Sequence, residues 1–153
     1  MIPSEGKIFF LKEKEHVALL KLASIIQESK KWTQQWYVRN LLIGLKGEFA
    51  YSKYTNQPLN TTIFKDSGDG GIDFPDGAQV KTTTFDGLDK HIKVSKILPN
   101  VKKYVLAYHN PSSDPYKVIL YGEISRENFK LRSYKMIDTN YLIVGVQDLD
   151  NYY

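Results

Sequence analysis

The chain has 153 residues, of which 42% are hydrophobic and 25% charged, with no cysteine and a formal net charge of +4; its pI is about 9.1. That length suits one domain with its own core, and the composition is that of an ordinary globular protein. Disulfides and thiolate metal sites are excluded, no apolar run approaches the ~20 residues of a membrane span, and the basic balance permits nucleic-acid binding without requiring it. The opening MIPSEGKIFF lacks a charged-then-apolar secretory pattern, so the cytoplasm is the expected location. The eleven tyrosines are expected mainly to pack core and sheet.

From about Leu11 to Lys30, Leu19, Leu22 and Ile26, flanked by Ala18 and Ile25, form an apolar stripe at helical spacing. His16 in this helix is expected to be a surface or packing residue. A second helix is predicted from Thr33 to about Tyr54, with Val38, Leu41, Leu42, Leu45 and Phe49 as its stripe. Glu48 lies beside that stripe. Gly44 and Gly47 each cost about 1 kcal/mol relative to alanine in a helix, which close approach of another backbone or a ligand would explain. Read alone, Glu48 would be an exposed helix acid, pairing with Ser52 or Lys46.

Asn56 to Asn60 reads as a loop and Thr61 to Lys65 as a strand. That strand opens a three-strand meander completed by the stretch around Gly68 to Lys81. Asp66 and Asp69 flank its glycine-rich approach and suit turn chemistry. Pro75-Asp76-Gly77 is a turn, with Asp76 structural at its apex and Gly77 in the left-handed position of a three-residue loop. The odd loop predicts that Phe74 faces Ala78 and Asp73 faces Gln79. Side chains alternate along a strand, so Asp73, Gln79 and Lys81 would share one face while Ile72 and Val80 point to the core.

From Gly87 to Lys103 the chain is basic. A helix from Leu88 to Leu98 is predicted, which would bring Lys90, Lys93 and Lys96 near one face, as a solvated surface or an edge contacting phosphates. His91 is read as a surface histidine. Val101 to His109 and Tyr116 to Ile124 are predicted antiparallel strands. Ser125 to Phe129 is a short helical turn with Ser125 as N-cap, Tyr141 to Val146 a last strand, and the final DLDNYY an edge or frayed tail. The fold class is α+β, or mixed α/β, with one sheet flanked by helices.

A carboxylate, an amide oxygen and an ammonium on one patch can do specific chemistry. Mg²⁺ takes one or two carboxylates, with waters and substrate phosphates completing its octahedron. A lysine beside it can orient or deprotonate a water, or neutralise phosphate charge in the transition state. Other chemistries fit poorly: there is no Gly-x-Ser-x-Gly or P-loop, and the three histidines are scattered. Glycines 68, 70 and 71 lead to a strand, where a phosphate cradle needs a helix N-terminus.

Asp73 followed by Gln79-Val80-Lys81, and preceded by Lys46-Gly47-Glu48-Phe49-Ala50, resembles the PD-(D/E)xK nuclease superfamily. More narrowly it is similar to members with Gln-x-Lys, such as Mrr-type restriction enzymes and some homing endonucleases, and the Ser-Gly approach to the aspartate resembles archaeal Holliday junction resolvases. Ile72 replaces the name-giving proline, and Gln79 replaces an acid, removing one negative charge. The motifs cover about Lys46 to Thr84.

The resemblance implies a restriction-endonuclease-like core with a central mixed sheet of four to five strands, in the order α-α-β-β-β-α-β-β. It implies one nuclease-like domain over residues 1–153, with residues 1–31 an N-terminal helical addition and about 33–124 the catalytic core. The activity implied is metal-dependent hydrolysis of DNA phosphodiesters. Glu48, Asp73, the Val80 carbonyl and the Gln79 amide would be ligands of Mg²⁺ or Mn²⁺, with Lys81 the catalytic lysine and Lys90, Lys93 and Lys96 contacting nucleic acid. The implied partners are duplex or branched DNA and further copies of the chain, as homodimer or homotetramer. The rival readings are a Holliday junction resolvase and an inactive nucleic-acid-binding module that keeps the fold.

Overall fold

A computed structural model describes residues 5–29, 35–59, 73–85 and 90–153. The predicted strand at Thr61 to Lys65, the glycine approach with Ile72, and the first two residues of the predicted third helix lie outside these. Strand β1 (Lys7–Phe10) leads into helices α1 (Glu13–Ser29) and α2 (Gln35–Thr55), then strands β2 (Ala78–Thr83), β3 (His91–Val94), β4 (Lys103–Tyr108) and β5 (Lys117–Ser125). Helix α3 (Arg126–Arg132), strands β6 (Tyr134–Lys135) and β7 (Leu142–Gly145), a 3₁₀ turn (Val146–Asp148) and strand β8 (Asn151–Tyr152) complete the order. Among the described residues no helix is long and apolar enough to cross a membrane.

The architecture is α+β with a mixed five-stranded sheet, ordered β1-β5-β4-β2, with β8 also on β5. β2 runs parallel to β4, while β4 and β5, β1 and β5, and β5 and β8 are antiparallel. β3, β7 and β6 form a second, three-stranded sheet. The alternation of β4 divides two cores. Val105 and Ala107 join Ala78, Val80, Val118 and Leu120 beneath α1 and α2. Tyr104 and Leu106 join Ile92, Val94, Val144 and Phe129 on the other side. With both faces covered, β4 reads as an unbroken apolar run, as a doubly buried strand must.

Local chemistry sets the helix boundaries. At the start of α1 the Lys12 N–H donates to the Glu15 carboxylate at 2.8 Å, the back-bonding half of a capping box. α1 buries Leu19, Ala23 and Ile26, whereas the expected flanking Ile25 is exposed. Ser125 caps α3 as predicted, accepting from Asn128 N–H at 3.1 Å.

The helix expected from Leu88 to Leu98 is replaced by β3. Ile92 and Val94 are buried, and the strand pairs with β7 from His91↔Gly145 to Val94↔Leu142. The period-three lysines suggested a helix, but burial of alternate β-branched residues against a partner strand decides the outcome. The three lysines accordingly diverge. β1 was not predicted, and the C-terminal segment is paired: Tyr153 donates to Glu123 at 2.9 Å and stacks 4.6 Å from Tyr54.

Gly47 and Gly44 differ sharply. A Cβ at Gly47 would lie 1.9 Å from Thr82 Oγ1, so α2 crosses β2 in direct contact, as expected for one of the two glycines. A Cβ at Gly44 would meet nothing within 4 Å, so no close approach explains that glycine. Gly47→Ala is therefore expected to destabilise the fold by about 1–3 kcal/mol through overpacking. Adding Thr82→Ala should recover most of that loss, because Thr82 Oγ1 is buried without a hydrogen-bond partner. Gly44→Ala should instead stabilise by up to about 1 kcal/mol through helix propensity. Urea denaturation of the variants checks this; a neutral Gly47→Ala would contradict the contact.

A second consequence concerns pH. His109 is fully buried, with Nδ1 2.7 Å from the Lys117 carbonyl and Nε2 unpartnered. Burial first, and then nearby Lys46 and His16, push its pKa below the ordinary 6.5, against the Lys117 carbonyl and Asp114, which raise it. Below about pH 6.5 the unfolded chain binds a proton that the folded state resists. Stability contributed by neutral His109 is full above that value and is lost as pH falls through it. Melting temperature should drop between pH 7 and 5, and His109→Gln should flatten the drop; an unchanged slope would contradict this.

Candidate functional site

The turn before β2 is built as its composition predicts, with one shift of register. Gly77 has φ +83° and its N–H donates to the Phe74 carbonyl at 3.0 Å. Its missing side chain also admits Lys102, whose Cγ would be 2.6 Å from a Cβ there. The Asp73 N–H, however, donates to Ala78 O at 2.9 Å, so Asp73 stands against Ala78 and not Gln79. The four-residue stretch from Phe74 to Gly77 is closed by that bond because Phe74 turns inward. It is 2% exposed and packs edge-on against Tyr51 at 5.0 Å.

Asp76 is structural, as expected. It accepts from Ala78 N–H at 3.0 Å, Tyr51 Oη at 2.7 Å and Gln57 Nε2 at 2.9 Å, and Lys103 Nζ lies 3.6 Å away. Partial burial raises its pKa, but these donors outweigh burial and hold it below the usual carboxylate range. The turn is thereby tied to the C-terminal end of α2 and to the start of β4.

The register shift does not separate Asp73 from β2. Its Oδ2 accepts from the Val80 N–H at 2.8 Å. The N–H and carbonyl of one strand residue leave from the same edge, so the Val80 carbonyl emerges on the side where the Asp73 carboxylate sits. That edge is the outer one of the five-stranded sheet among the described residues. In the parallel register Gln79 pairs with Tyr104 and Lys81 with Leu106, so both project from the face of the second core, while Val80 joins the first. This is the division of faces predicted for Gln79, Lys81 and Val80. Asp73, standing against Ala78, does not share the face of Gln79 and Lys81 that the odd loop predicted for it, because the loop holds four residues.

Glu48 is 6% exposed and is not the exposed helix acid that its sequence alone suggests. Its two expected neighbours are engaged elsewhere: Lys46 Nζ donates to Pro115 O at 2.5 Å, and Ser52 Oγ to Gln57 O at 2.5 Å. Lys81 draws the group together. Burial lowers its pKa, and the charges of Asp73 and Glu48 oppose that shift without cancelling it. Lys81 on β2 thus lies in the field of a turn acid and a helix acid.

Among the described residues no three of His, Cys, Asp and Glu gather as a metal cluster. Among the described residues, Asp73 and Glu48 are the two carboxylates in the field of Lys81, and a hard divalent cation such as Mg²⁺ uses one or two when waters and phosphate supply the rest. Asp73, Glu48, the Val80 carbonyl and the Gln79 amide would each offer Mg²⁺ or Mn²⁺ an oxygen donor, the chemistry a hard divalent cation takes.

Beside Lys81 opens a cleft of about 430 Å³ between α2, β2 and β3. Arg39, Asn40, Ile43 and Gly44 line it from the helix, Lys81 to Phe85 from β2 and its extension, and His91 and Lys93 from β3. None of these is acidic. Of the three lysines expected to share a face, Lys93 lines this cleft. Lys90 lies over the rings of Tyr108 and Tyr121 in a separate cleft, and Lys96 is exposed in the bend after β3. His91, Arg39 and Phe85 were not anticipated here. The signal for His91 is the alternation His91-Ile92-Lys93-Val94, which sends the histidine and lysine one way and the apolar pair the other.

The chain matches no protein-family model, and no curated protein matches it.

Proposed function

We propose that this chain is a metal-dependent endonuclease of the PD-(D/E)xK type, with a restriction-endonuclease-like core, acting on DNA. One observation carries the reading: Lys81 on β2 lies in the field of both Glu48 on α2 and Asp73, whose carboxylate accepts from the Val80 N–H at 2.8 Å. Asp73 and Glu48 would hold Mg²⁺ or Mn²⁺ with the Val80 carbonyl and the Gln79 amide oxygen. A bound divalent ion supplies Lewis-acid polarisation of a phosphate oxygen and a more acidic water.

The residues divide the remaining work. The Val80 N–H fixes one Asp73 oxygen at 2.8 Å, which orients the carboxylate before any substrate arrives. Lys81, on β2 in the field of both acids, positions the attacking water and neutralises charge developing on the phosphate. Because it is partly withdrawn from solvent, its electrostatic effect on that charge is stronger than that of an exposed lysine. Gln79 contributes no charge, so two carboxylates and one divalent ion leave the ligand set near neutrality, which suits an anionic substrate. Cutting both strands of a duplex would call for two copies of the chain, as dimer or tetramer.

Supercoiled plasmid and a labelled four-way junction, each with Mg²⁺, Mn²⁺ or EDTA, test the reading. Cleavage is expected only with metal, and Lys81→Ala or Asp73→Ala should reduce it by about 10²-fold or more. Preference for the junction would make the enzyme a resolvase; preference for plasmid, a restriction-like or homing enzyme. Cutting that persists in EDTA, or that is undiminished in the Lys81→Ala chain, would overturn the assignment.

A further inference from the structure

The cleft beside Lys81 is more specific than a phosphate-binding edge. Duplex DNA turns its bases inward and offers a protein phosphates and sugars along its backbone. A surface built for that needs exposed cations and donors, and little else. This cleft is concave, and its volume of about 430 Å³ falls among pockets that enclose small organic groups. It also has an apolar component. Ile43 is buried against it, and the Phe85 ring is 50% exposed at its rim. Phe85 is held there by the strand's own continuation: its N–H donates to Thr83 Oγ1 at 3.1 Å, a local turn that bends the chain at the end of β2. Asn40 adds an amide that can both donate to and accept from a base edge.

Among the described residues the charged lining is cationic: Arg39 on α2, Lys81 on β2 and Lys93 on β3 border the cleft, with His91 beside Lys93. Lys93 Nζ stands 4.8 Å from the centroid of the Tyr141 ring, a cation–π contact that limits its freedom. An aromatic face, an apolar floor, an amide and flanking cations match one nucleotide with its base unstacked: aromatic surfaces take bases and cations track the backbone.

We propose that this cleft receives an unpaired nucleotide, so that the chain binds single-stranded segments in preference to duplex, with the base against Phe85 and the flanking phosphates at Arg39 and Lys93. Gly44, whose added Cβ would meet nothing within 4 Å, leaves the floor of this cleft open. The proposal names the substrate for the nuclease reading and rests on it only for the statement that the bound strand is the one cut. The nuclease reading would then favour DNA with unpaired nucleotides, such as junctions, flaps or bubbles.

Fluorescence anisotropy in EDTA separates binding from cleavage. The probes are a labelled oligothymidine of about 12 nucleotides, within the 4–16 that one small domain covers, and a blunt hairpin duplex of similar length. The parent should bind the single strand at least about tenfold more tightly than the duplex. Phe85→Ala should weaken single-strand binding about tenfold, as removal of one stacking platform does, and leave duplex binding unchanged. Phe85→Trp should retain it. Combining Arg39→Gln with Lys93→Gln should flatten the dependence of log affinity on log salt by about 0.7 for each cation removed. Duplex binding equal to or tighter than single-strand binding, an unaffected Phe85→Ala chain, or no binding to either probe would overturn the proposal. Metal-dependent cutting with an unaffected Phe85→Ala chain would reject the cleft and leave the nuclease. The predicted binding without cutting in any metal would reject the nuclease and leave the cleft.

Discussion

The site depends on how closely helix α2 lies over the edge strand β2, and the missing side chain of Gly47 sets that distance. With no Cβ in the way, Thr82 comes directly against the helix backbone. Glu48, the next residue on the helix, is thereby brought into the buried layer beside the strand and into the field of Lys81. A methyl group at residue 47 would have to displace Thr82 or lift the helix, and either movement would alter the spacing between Glu48 and the strand that carries Lys81. The second fixed point is Asp76. By accepting from Tyr51, Gln57 and its own turn, it ties the loop that carries Asp73 to the end of the same helix. One helix thus locates both acids, one directly and one through a turn.

The electrostatics of the site follow from that packing. Lys81 is caught between the cost of burial and the attraction of two carboxylates, and burial prevails. Such an ammonium is stabilised further by any anion that enters, because a phosphate adds negative charge in a region where water screens little. Among the described residues, Lys93 and Arg39 along the cleft extend the cationic surface outward from Lys81.

Much of the site was legible in the sequence because it is local. Asp73, the Pro-Asp-Gly turn, Gln79, Val80 and Lys81 lie within one short stretch, and turn chemistry with strand alternation assigns the faces of Gln79, Val80 and Lys81. Turn chemistry did not fix the register. Whether Asp73 or Phe74 stands against Ala78 is decided by Phe74 burying its ring on Tyr51, a contact with a helix more than twenty residues away in sequence. β3 was misread for a related reason. Lysines at period three are a surface pattern that any exposed element tolerates, whereas Ile92 and Val94 are fixed by pairing with β7, some fifty residues downstream. β1 was missed because four residues, KIFF, become a strand only by pairing with β5. The cleft was invisible for the same reason: Arg39, Phe85 and His91 belong to separate elements, and nothing in the spacing between them marks their meeting.

The central claim is that Asp73 and Glu48 hold a divalent cation under the influence of Lys81. Calorimetric titration of Mn²⁺ tests it most directly, using the parent chain with Asp73→Asn, Glu48→Gln and Lys81→Met. The account predicts binding by the parent, weaker binding after either carboxamide substitution, and tighter binding in the Lys81→Met chain, where a like charge beside the ion is gone. No binding by the parent, or binding as strong in both carboxamide variants as in the parent, would contradict it.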